Sequence, residues 1–425
     1  MNSKTLGNIF KGDKVIWMVF FFLCVISVIE VFSASSELTY KGGNYMAPIL
    51  KHMGLLLVGI VCMVITLNIK CKYFKIATII LLVLSIIMLL GVLITGESTN
   101  GAQRWIGIMG FQFQPSELAK GAVILATAQI LSAMQTENGA DKNALKYILF
   151  IWFLIVPLIM VENLSTAVLL SAVVFIMMII GRVPGRQLGK LLGILALGVV
   201  FMVSLIWITG TDQNEKTENN TLTEQVAKKE DTPKSKKVLH RMDTWKSRIN
   251  KFLNHKEVAP EDVDLDKDAQ TAHANIAIAT SNGYGKGPGN SVERDFLSQA
   301  FSDFIFAIII EEMGIEGALF VALLYIILLF RTGRIAGRCE NNFPALLAMG
   351  LALLLVTQAL FNMCVAVGLA PVTGQPLPLI SRGGTSTIIN CVYIGAILSI
   401  SRSAKKKQTL EAATANRTAS MAIAK

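Results

Sequence analysis

Acidic side chains close to a long apolar segment are the residues of this sequence best suited to chemistry. Asp303 stands at the start of such a segment, and Glu311 and Glu312 lie inside it. An ionisable group in or beside a membrane segment is costly unless it is paired or hydrated, so it marks a candidate functional site. A carboxylate at the mouth of a cavity can act as a general base, and Asp303 is the first candidate for that role.

Asp303 also has a simpler interpretation. An acid in the first turn of a helix is favoured by the helix dipole, and Ser302 could cap that helix. Glu311 follows eight residues later, which is about 12 Å along a helix, too far for the two acids to share a proton. We therefore interpret Glu311 and Glu312 as structural members of a buried interhelical pair.

Two cations occur near a second polar stretch. Arg104 precedes an apolar segment, and Lys120 lies about one turn inside it. Fixed cations there suit a pyrophosphate, with Glu117 as a partner for Lys120, although topology and lipid headgroups would also explain them. Asp295 could orient one of these cations or hold a divalent cation, and the metal content stays open.

The elements that must position these residues are membrane helices. Of the 425 residues, 53% are hydrophobic and 16% are charged, and the apolar residues form repeated long runs. This composition predicts an all-α polytopic membrane protein. We predict ten transmembrane helices, near residues 15–34, 53–69, 74–95, 116–133, 146–161, 164–181, 187–209, 303–330, 343–367 and 384–401.

The net charge of +10 would favour nucleic-acid binding in a soluble domain, but here the basic residues cluster in short loops between apolar runs. By the positive-inside rule, this distribution places both termini in the cytoplasm, and we expect no nucleic-acid partner. The six cysteines form no CxxC pair, so we expect neither a disulfide nor a zinc site. The first apolar run lacks a convincing cleavage site and should remain as a membrane helix.

The predicted helices divide the chain into four parts. These are residues 1–209 with helices one to seven, 210–302 as a long extracytoplasmic loop, 303–403 with helices eight to ten, and 404–425 as a basic cytoplasmic tail. Within the loop, residues 211–237 have the polar composition of a flexible insert. Residues 241–253 carry apolar side chains at the spacing of a short basic amphipathic helix.

Irregular backbone is predicted at three places. Residues 162–166 form a very short polar join, and residues 368–383 are dense in proline and glycine; such backbone at membrane depth must be buried in protein or line a cavity. The glycine run at 283–289 looks like a phosphate cradle, but it lacks the preceding strand and terminal Lys-Ser/Thr of a P-loop. We interpret it as a flexible turn.

With these stretches in place, the sequence resembles the SEDS family, the shape, elongation, division and sporulation proteins that include FtsW, RodA and SpoVE. The resemblance extends from the first predicted helix to the tenth. It is carried by Asn-Gly-Ala-Gln-Arg-Trp-Ile at 100–106, Gln-Pro-Ser-Glu-Leu-Ala-Lys at 114–120, Gly-Lys-Gly-Pro-Gly-Asn-Ser at 285–291, Asp-Phe-Ile-Phe-Ala and Glu-Glu-Met-Gly within 303–314, and Pro-Val-Thr-Gly-Gln-Pro-Leu-Pro-Leu-Ile-Ser-Arg-Gly-Gly-Thr-Ser at 371–386.

The resemblance implies a peptidoglycan glycosyltransferase with the SEDS fold. Such an enzyme polymerises lipid II, with a polyprenyl-pyrophosphate-linked glycan, at the outer face of the bacterial cytoplasmic membrane. Asp303 would be catalytic, and no cofactor is certain. The matching motifs supply the candidate substrate-binding residues Asn100, Arg104, Gln114, Glu117, Lys120, Asn290, Asp295 and Ser381.

The chain departs from the family pattern at three places. Where many members have Leu-Pro-Glu-Ala-His-Thr before the key aspartate, residues 297–302 read Leu-Ser-Gln-Ala-Phe-Ser, which excludes a catalytic role for that histidine. The Pro-Asp-Leu-Gly-Thr turn appears as Glu-Asn-Leu-Ser-Thr at 162–166, which makes a role for the missing aspartate doubtful. Arg382 replaces an aromatic residue before the last Gly-Gly and adds a cation near the outer mouth.

The resemblance also implies partners and a pathway. The partners are a class B penicillin-binding protein and other divisome membrane proteins, and residues 362–386 look closer to the FtsW branch, which favours septal wall synthesis. An elongation-type, RodA-like polymerase is one alternative. A lipid II flippase or transporter is another, because intramembrane acids and irregular backbone suit it too.

The partner's membrane helix should dock on the eighth or ninth predicted span. On the ninth span Ala345, Ala348 and Ala352 share one helical face, and such small residues would permit close approach. Packing inside the bundle is an equal alternative.

Overall fold

The computed structural model describes residues 11–34, 47–95, 97–99, 102–108, 111–209, 269–297 and 300–423. Within these ranges the chain is predominantly helical, and each predicted apolar segment lies largely or wholly in a helix. The helices are α1 (Lys14–Ala34), α2 (Ala47–Asn68), α3 (Cys71–Thr95), α4 (Pro115–Ala133), α5 (Ala144–Glu162), α6 (Leu164–Ile180), α7 (Gly185–Thr209), α8 (Ala269–Thr280), α9 (Ile305–Ala336), α10 (Asn342–Ala366) and α11 (Thr385–Ile423).

Seven helical segments among the described residues are long and apolar enough to cross a membrane. They are α1, α5, α9, α10, residues Ile49–Asn68 of α2, Cys71–Ile94 of α3 and Thr385–Ala404 of α11, and α6 is a shorter apolar helix. Large apolar side chains along one face of α3, such as Ile76, Ile80 and Ile87, are exposed, which suits contact with lipid. The prediction of a mostly helical, multi-pass membrane protein is confirmed.

Helix α10 lies at the centre of the bundle and packs against α4, α6, α9 and α11. Gly350 permits this close approach, because a Cβ atom there would lie 2.7 Å from side-chain atoms of Ile124 on α4 and Met177 on α6. Ala348 and Ala352 are fully buried. These two alanines therefore pack the bundle, and the alternative that they receive a partner's helix is wrong.

The all-α prediction missed two small antiparallel sheets. Strands β1 (Glu97–Thr99), β2 (Ala102–Ile108) and β3 (Phe111–Phe113) form one of them between α3 and α4, with Trp105 opposite Glu97 and Phe113 opposite Ile106. Strands β4 (Gln135–Thr136) and β5 (Gly139–Ala140) form the other. Four of the five strands have only two or three residues, too few to show a periodicity, yet the pairing gives hydrogen-bond partners to backbone groups of both connections.

Other boundaries also differ from the predictions. Helix α8 was not predicted, and it packs against α9. Helix α11 continues past the predicted end of the tenth span, through most of the expected tail. The predicted insert at 211–237, the predicted amphipathic helix at 241–253 and Asn100 lie outside the described residues. Arg104 lies in β2, and the structure does not describe its side chain.

Candidate functional site

Asp303 lies in the turn directly before α9, and its side chain is partly exposed. The Ser302 hydroxyl donates to its carboxylate at 3.1 Å. The backbone around it is fixed from two sides: Asn362 of α10 donates to the Asp303 carbonyl at 2.8 Å, and Ser381 donates to the Ser302 carbonyl at 2.6 Å. Asp303 therefore sits on a rigid backbone, as a catalytic base requires.

The expectation that Ser302 caps the helix is wrong. Helix α9 begins at Ile305, and its N-cap residue is Phe304, which has no side-chain capping bond. The Ser302 hydroxyl instead faces the neighbouring carboxylate. Asp303 thus precedes the helix and is not a residue of its first turn.

A proline-rich segment, residues 371–382, forms one wall of this region. Its backbone has no regular secondary structure through Leu377, yet much of it is buried in the protein. Side chains of three helices fix it. The contacts run from Gln358 to the Pro376 carbonyl (3.1 Å), from Asn362 to the Gln375 carbonyl (2.7 Å), from the Gln375 amide to the Thr166 hydroxyl (2.6 Å), and from the Tyr325 hydroxyl to the Pro378 carbonyl.

Two further helices hold the end of the proline-rich segment. Ser27 of α1 donates to the Ile380 carbonyl at 2.7 Å, and its oxygen lies 2.9 Å from Nε2 of His52 on α2. Because the single Ser27 proton goes to the carbonyl, Nε2 of His52 must carry the proton of the second bond. The histidine is buried and acts here as a donor that orients Ser27.

Lys120 is completely buried on α4. Its ammonium lies 2.9 Å from a Glu117 oxygen, one turn earlier, and 2.7 Å from the Gln358 side-chain oxygen. Gln358 in turn donates to the proline-rich segment. The Glu117–Lys120 pair is therefore connected through Gln358 with the segment that fixes the Asp303 turn.

The other predicted substrate-binding residues lie in different surroundings. Gln114 is buried and donates to Ser116 at 3.1 Å, while Ser381 is buried within the backbone contacts beside Asp303. Asn290 is exposed and donates to the Lys286 carbonyl at 3.0 Å. Asp295 is 44% exposed, 3.7 Å from Arg294. Ser381 contacts the turn that carries Asp303, through the Ser302 carbonyl.

Arg382, the residue after Ser381, is the extra cation that the sequence predicts near the outer mouth. The structure places its guanidinium over the ring of Phe301, with 5.2 Å between the guanidinium carbon and the ring centroid. Its backbone N–H donates to the Phe301 carbonyl at 2.9 Å. Burial lowers the pKa of Arg382, but an arginine stays charged at any physiological pH.

A second site lies along α9. The glycine loop, residues 283–291, and the residue after it surround Glu311 and Glu312. Lys286 pairs with Glu311 at 2.6 Å, and the N–H of Val292 donates to the same carboxylate at 3.0 Å. The N–H groups of Gly289 and Ser291 donate to Glu312 at 2.9 and 3.3 Å, and Ser33 of α1 also donates to it.

The glycines of this loop permit a close backbone approach. Gly314 has φ 69° and ψ −170°, and this non-helical conformation interrupts α9. The carbonyls of Glu311 and Glu312 therefore accept hydrogen bonds from outside the helix. Their donors are the N–H groups of Lys286 and Gly287, both at 2.8 Å. A Cβ atom at Gly285 would lie 2.4 Å from the Glu312 carbonyl oxygen. The run forms turns, as predicted, but the expectation that it is flexible is wrong, because α9 fixes its backbone.

Metal ligands are a separate question. Within the described ranges, no group of three or more His, Cys, Asp or Glu side chains is arranged to hold a metal ion. Asp295, which the sequence offers as a ligand for a divalent cation, lies 3.7 Å from Arg294.

A family model described as cell cycle protein, covering FtsW, RodA and SpoVE, matches residues 13–406. The chain belongs to this family. The resemblance seen in the motifs is thereby confirmed.

The chain aligns with named relatives over nearly its whole length. It is 30% identical over 385 residues to a probable peptidoglycan glycosyltransferase FtsW of Nitrosomonas europaea, which covers 88% of this chain and 89% of that protein. It is 26% identical over 404 residues to the peptidoglycan glycosyltransferase MrdB of Escherichia coli K12, covering 94% and 96%.

Two solved structures share the fold of this family member. One is a chain of a peptidoglycan synthase complex, with a TM-score of 0.67 and 22% identity over 92% of this chain and 98% of that one. The other is RodA of Thermus thermophilus, with a TM-score of 0.60 and 21% identity over 93% and 98%.

Proposed function

We propose that the protein is a peptidoglycan glycosyltransferase that polymerises lipid II with Asp303 as its general base. The observation that carries this proposal is the Asp303 turn itself, a partly exposed carboxylate on a backbone fixed by Asn362 and Ser381. Membership of the FtsW, RodA and SpoVE family and the names of the relatives support it.

The reaction transfers a growing glycan to a new subunit. The donor is the polyprenyl-pyrophosphate-linked glycan, and the acceptor is a sugar hydroxyl of lipid II. Asp303 takes the hydroxyl proton as the new glycosidic bond forms, and the bond to pyrophosphate breaks with its electron pair on the leaving group. A general base of this kind contributes roughly 10²- to 10⁴-fold in rate.

The leaving pyrophosphate needs cations near the site. Arg104 and Lys120 are the candidates. Arg248, in the predicted amphipathic helix at 241–253, would assist them, and Asp295 would orient one of them. The Lys120 ammonium already contacts Glu117 and Gln358. To stabilise the leaving group, it must either bind the pyrophosphate in place of these partners or act on it through Gln358. The remaining candidates Asn100, Gln114 and Asn290 would bind the sugar and phosphate groups of the substrates.

The decisive experiment uses the purified protein with a class B penicillin-binding protein and labelled lipid II. Asp303→Ala should stop the formation of glycan polymer on a gel. Glu316→Gln, which removes an exposed acid of α9, is the matched control and should leave the rate unchanged. A normal rate in a correctly folded Asp303→Ala protein would show that another group is the base.

The two basic candidates are tested in the same assay. Lys120→Met and Arg104→Met should each slow turnover, because each removes a preorganised donor to the developing charge, an effect of about 3 kcal/mol for one such donor. Unchanged turnover in both variants would remove these residues from the mechanism.

The proposed setting is the bacterial cytoplasmic membrane, with ten transmembrane helices and both termini in the cytoplasm. Residues 1–209 and 303–403 would carry the helices, 210–302 would face outward, and 404–425 would be cytoplasmic. Labelling of single cysteines placed at residues 230 and 420 with an impermeant reagent tests this. Labelling only at residue 230 in intact cells fits the proposal, and labelling at residue 420 contradicts it.

A class B penicillin-binding protein is the proposed partner, together with other divisome membrane proteins. Of the two predicted docking spans, α9 is favoured, because α10 is largely buried. Exposed apolar residues recur along one face of α9, at Leu319, Leu323, Ile326 and Phe330. Charged substitutions at Leu323 and Phe330 should abolish co-purification with the partner, whereas a substitution at exposed Leu197 of α7 should not.

Division is the proposed pathway, from the resemblance of residues 362–386 to the FtsW branch. Depletion of the protein should give filamentous cells. Rounded cells with intact septa would instead indicate the elongation-type role.

Lipid II transport is the competing function. The buried acids of α9 and the irregular backbone of the proline-rich segment suit a transporter as well. A dithionite-type flipping assay in liposomes, run beside the polymerisation gel, separates the two. Flipping without polymerisation would favour the transporter.

A further inference from the structure

Arg382 is a cation of the Asp303 region that the reaction described above does not use. Its side chain is partly buried, and its guanidinium lies on the ring of Phe301. A cation over the face of an aromatic ring is stabilised by the ring quadrupole while the edge of the guanidinium keeps its N–H donors available. Phe301 therefore fixes where this charge sits.

The position of Arg382 relative to Asp303 follows from two consecutive hydrogen bonds. Ser381 donates to the Ser302 carbonyl at 2.6 Å, and the N–H of Arg382 donates to the Phe301 carbonyl at 2.9 Å. Residues 381–382 thus run alongside residues 301–302, directly before Asp303. The guanidinium is carried on the piece of backbone that also holds the proposed catalytic turn.

Other cations among the described residues differ from Arg382 in their partners. Lys120 contacts Glu117, Lys286 contacts Glu311, and Arg294 lies beside Asp295. Within the described ranges, the Arg382 guanidinium has neither an ion pair nor a hydrogen-bond acceptor. A partly buried guanidinium whose donors are not taken by the protein is costly, unless a ligand supplies the acceptors.

We infer that Arg382, held on Phe301, binds the pyrophosphate of the polyprenyl-pyrophosphate-linked substrate. The planar guanidinium matches phosphate oxygens with two parallel hydrogen bonds, which an ammonium does not. As the leaving group departs, the same contact stabilises its growing negative charge. This inference rests on the proposed glycosyl transfer for the identity of the ligand.

Direct binding tests the inference without relying on turnover. The probe is polyprenyl pyrophosphate, titrated against the full-length Asp303→Asn protein in lipid nanodiscs. Adding Arg382→Gln should weaken the affinity about tenfold, because the charged donors to the phosphate oxygens are lost. Arg338→Gln, which removes an exposed arginine after α9, is the matched control and should leave the affinity unchanged.

Conservative variants separate binding from a structural role. Arg382→Lys keeps the charge but not the planar fork, so its affinity should fall between those of the arginine and glutamine forms. Phe301→Leu should weaken binding a few-fold through loss of the ring, and Phe301→Tyr should retain it. Raising the salt concentration should weaken binding more in the arginine form than in the glutamine form.

The outcomes distinguish this inference from the proposed function. If the wild-type protein polymerises lipid II, and folded Arg382→Gln keeps its pyrophosphate affinity and its KM for lipid II, the inference is overturned alone. If the wild-type protein binds polyprenyl pyrophosphate through Arg382 but makes no polymer, the proposed function fails and the binding site stands. If Arg382→Gln does not fold, equal affinities of Arg382→Lys, Phe301→Leu and the parent protein overturn the inference.

Discussion

Two acidic regions lie eight residues apart at one end of α9, and their chemistry differs. Glu311 and Glu312 are buried, and each of their four carboxylate oxygens accepts at least one hydrogen bond from the glycine loop, the residue after it or α1. The Asp303 side chain remains partly exposed, and the contacts from Asn362 and Ser381 go to the backbone around it.

The difference shows how one stretch of sequence can hold acids that are saturated by donors and an acid that stays partly exposed. A carboxylate saturated by donors inside the bundle stabilises the loop that supplies those donors, and it is screened from substrate. A carboxylate whose backbone is fixed by its neighbours keeps its side chain accessible while its position is defined. This second arrangement is the one a general base needs.

The sharpest test of this comparison exchanges each acid for its amide. Asp303→Asn should lower the rate of glycan polymerisation by roughly 10²- to 10⁴-fold, because the amide cannot accept the proton. Its unfolding temperature should stay close to that of the wild-type protein. Gel-based polymerisation and thermal unfolding in detergent measure both. An active Asp303→Asn protein would break the distinction between the two regions.

Glu312→Ala should act mainly on stability. It leaves the N–H groups of Gly289 and Ser291 and the Ser33 hydroxyl without their acceptor, and unsatisfied buried groups cost about 1–3 kcal/mol each. We expect a loss of about 3 kcal/mol after partial rehydration of the loop. Thermal unfolding measures this loss. A variant as stable as the wild type that lacks all activity would mean that Glu312 belongs to the catalytic site.

Two glycines of the same loop form a matched pair for a smaller effect. Both have positive φ, 81° at Gly285 and 86° at Gly289, so alanine is strained at each by about 1–2 kcal/mol. At Gly285 the added Cβ atom would also meet the Glu312 carbonyl at 2.4 Å, whereas at Gly289 it would meet nothing within 4 Å. Gly285→Ala should therefore unfold at a lower temperature than Gly289→Ala. Equal unfolding temperatures would contradict the tight contact between loop and α9.

Asn362→Leu tests whether backbone contacts position Asp303. The substitution removes two donated bonds, to the carbonyls of Asp303 and Gln375, each worth about 1 kcal/mol. We expect polymerisation to slow about tenfold through kcat, with a smaller change in KM for lipid II. Steady-state kinetics give both constants. An unchanged kcat would show that the turn holds its position without α10.

The sequence by itself determined the long apolar helices and the first catalytic candidate. Apolar runs of 17 to 32 residues form helices because the pattern and the backbone hydrogen bonds are local, so each segment carries its own signal. Asp303 was identifiable because a carboxylate beside an apolar run is costly, whichever residues surround it.

The tertiary structure decided which side chains meet. Ser33 reaches Glu312 across 279 residues of sequence, and Lys120 reaches Gln358 across 238. The periodicity of the sequence does not predict such contacts. In the glycine loop, the proline-rich segment and the Phe301–Arg382 pair, groups that are distant in the sequence fix the backbone. Whether an acid or a cation is saturated or available therefore depends on partners that helix packing brings together, and that information is absent from any single stretch of the chain.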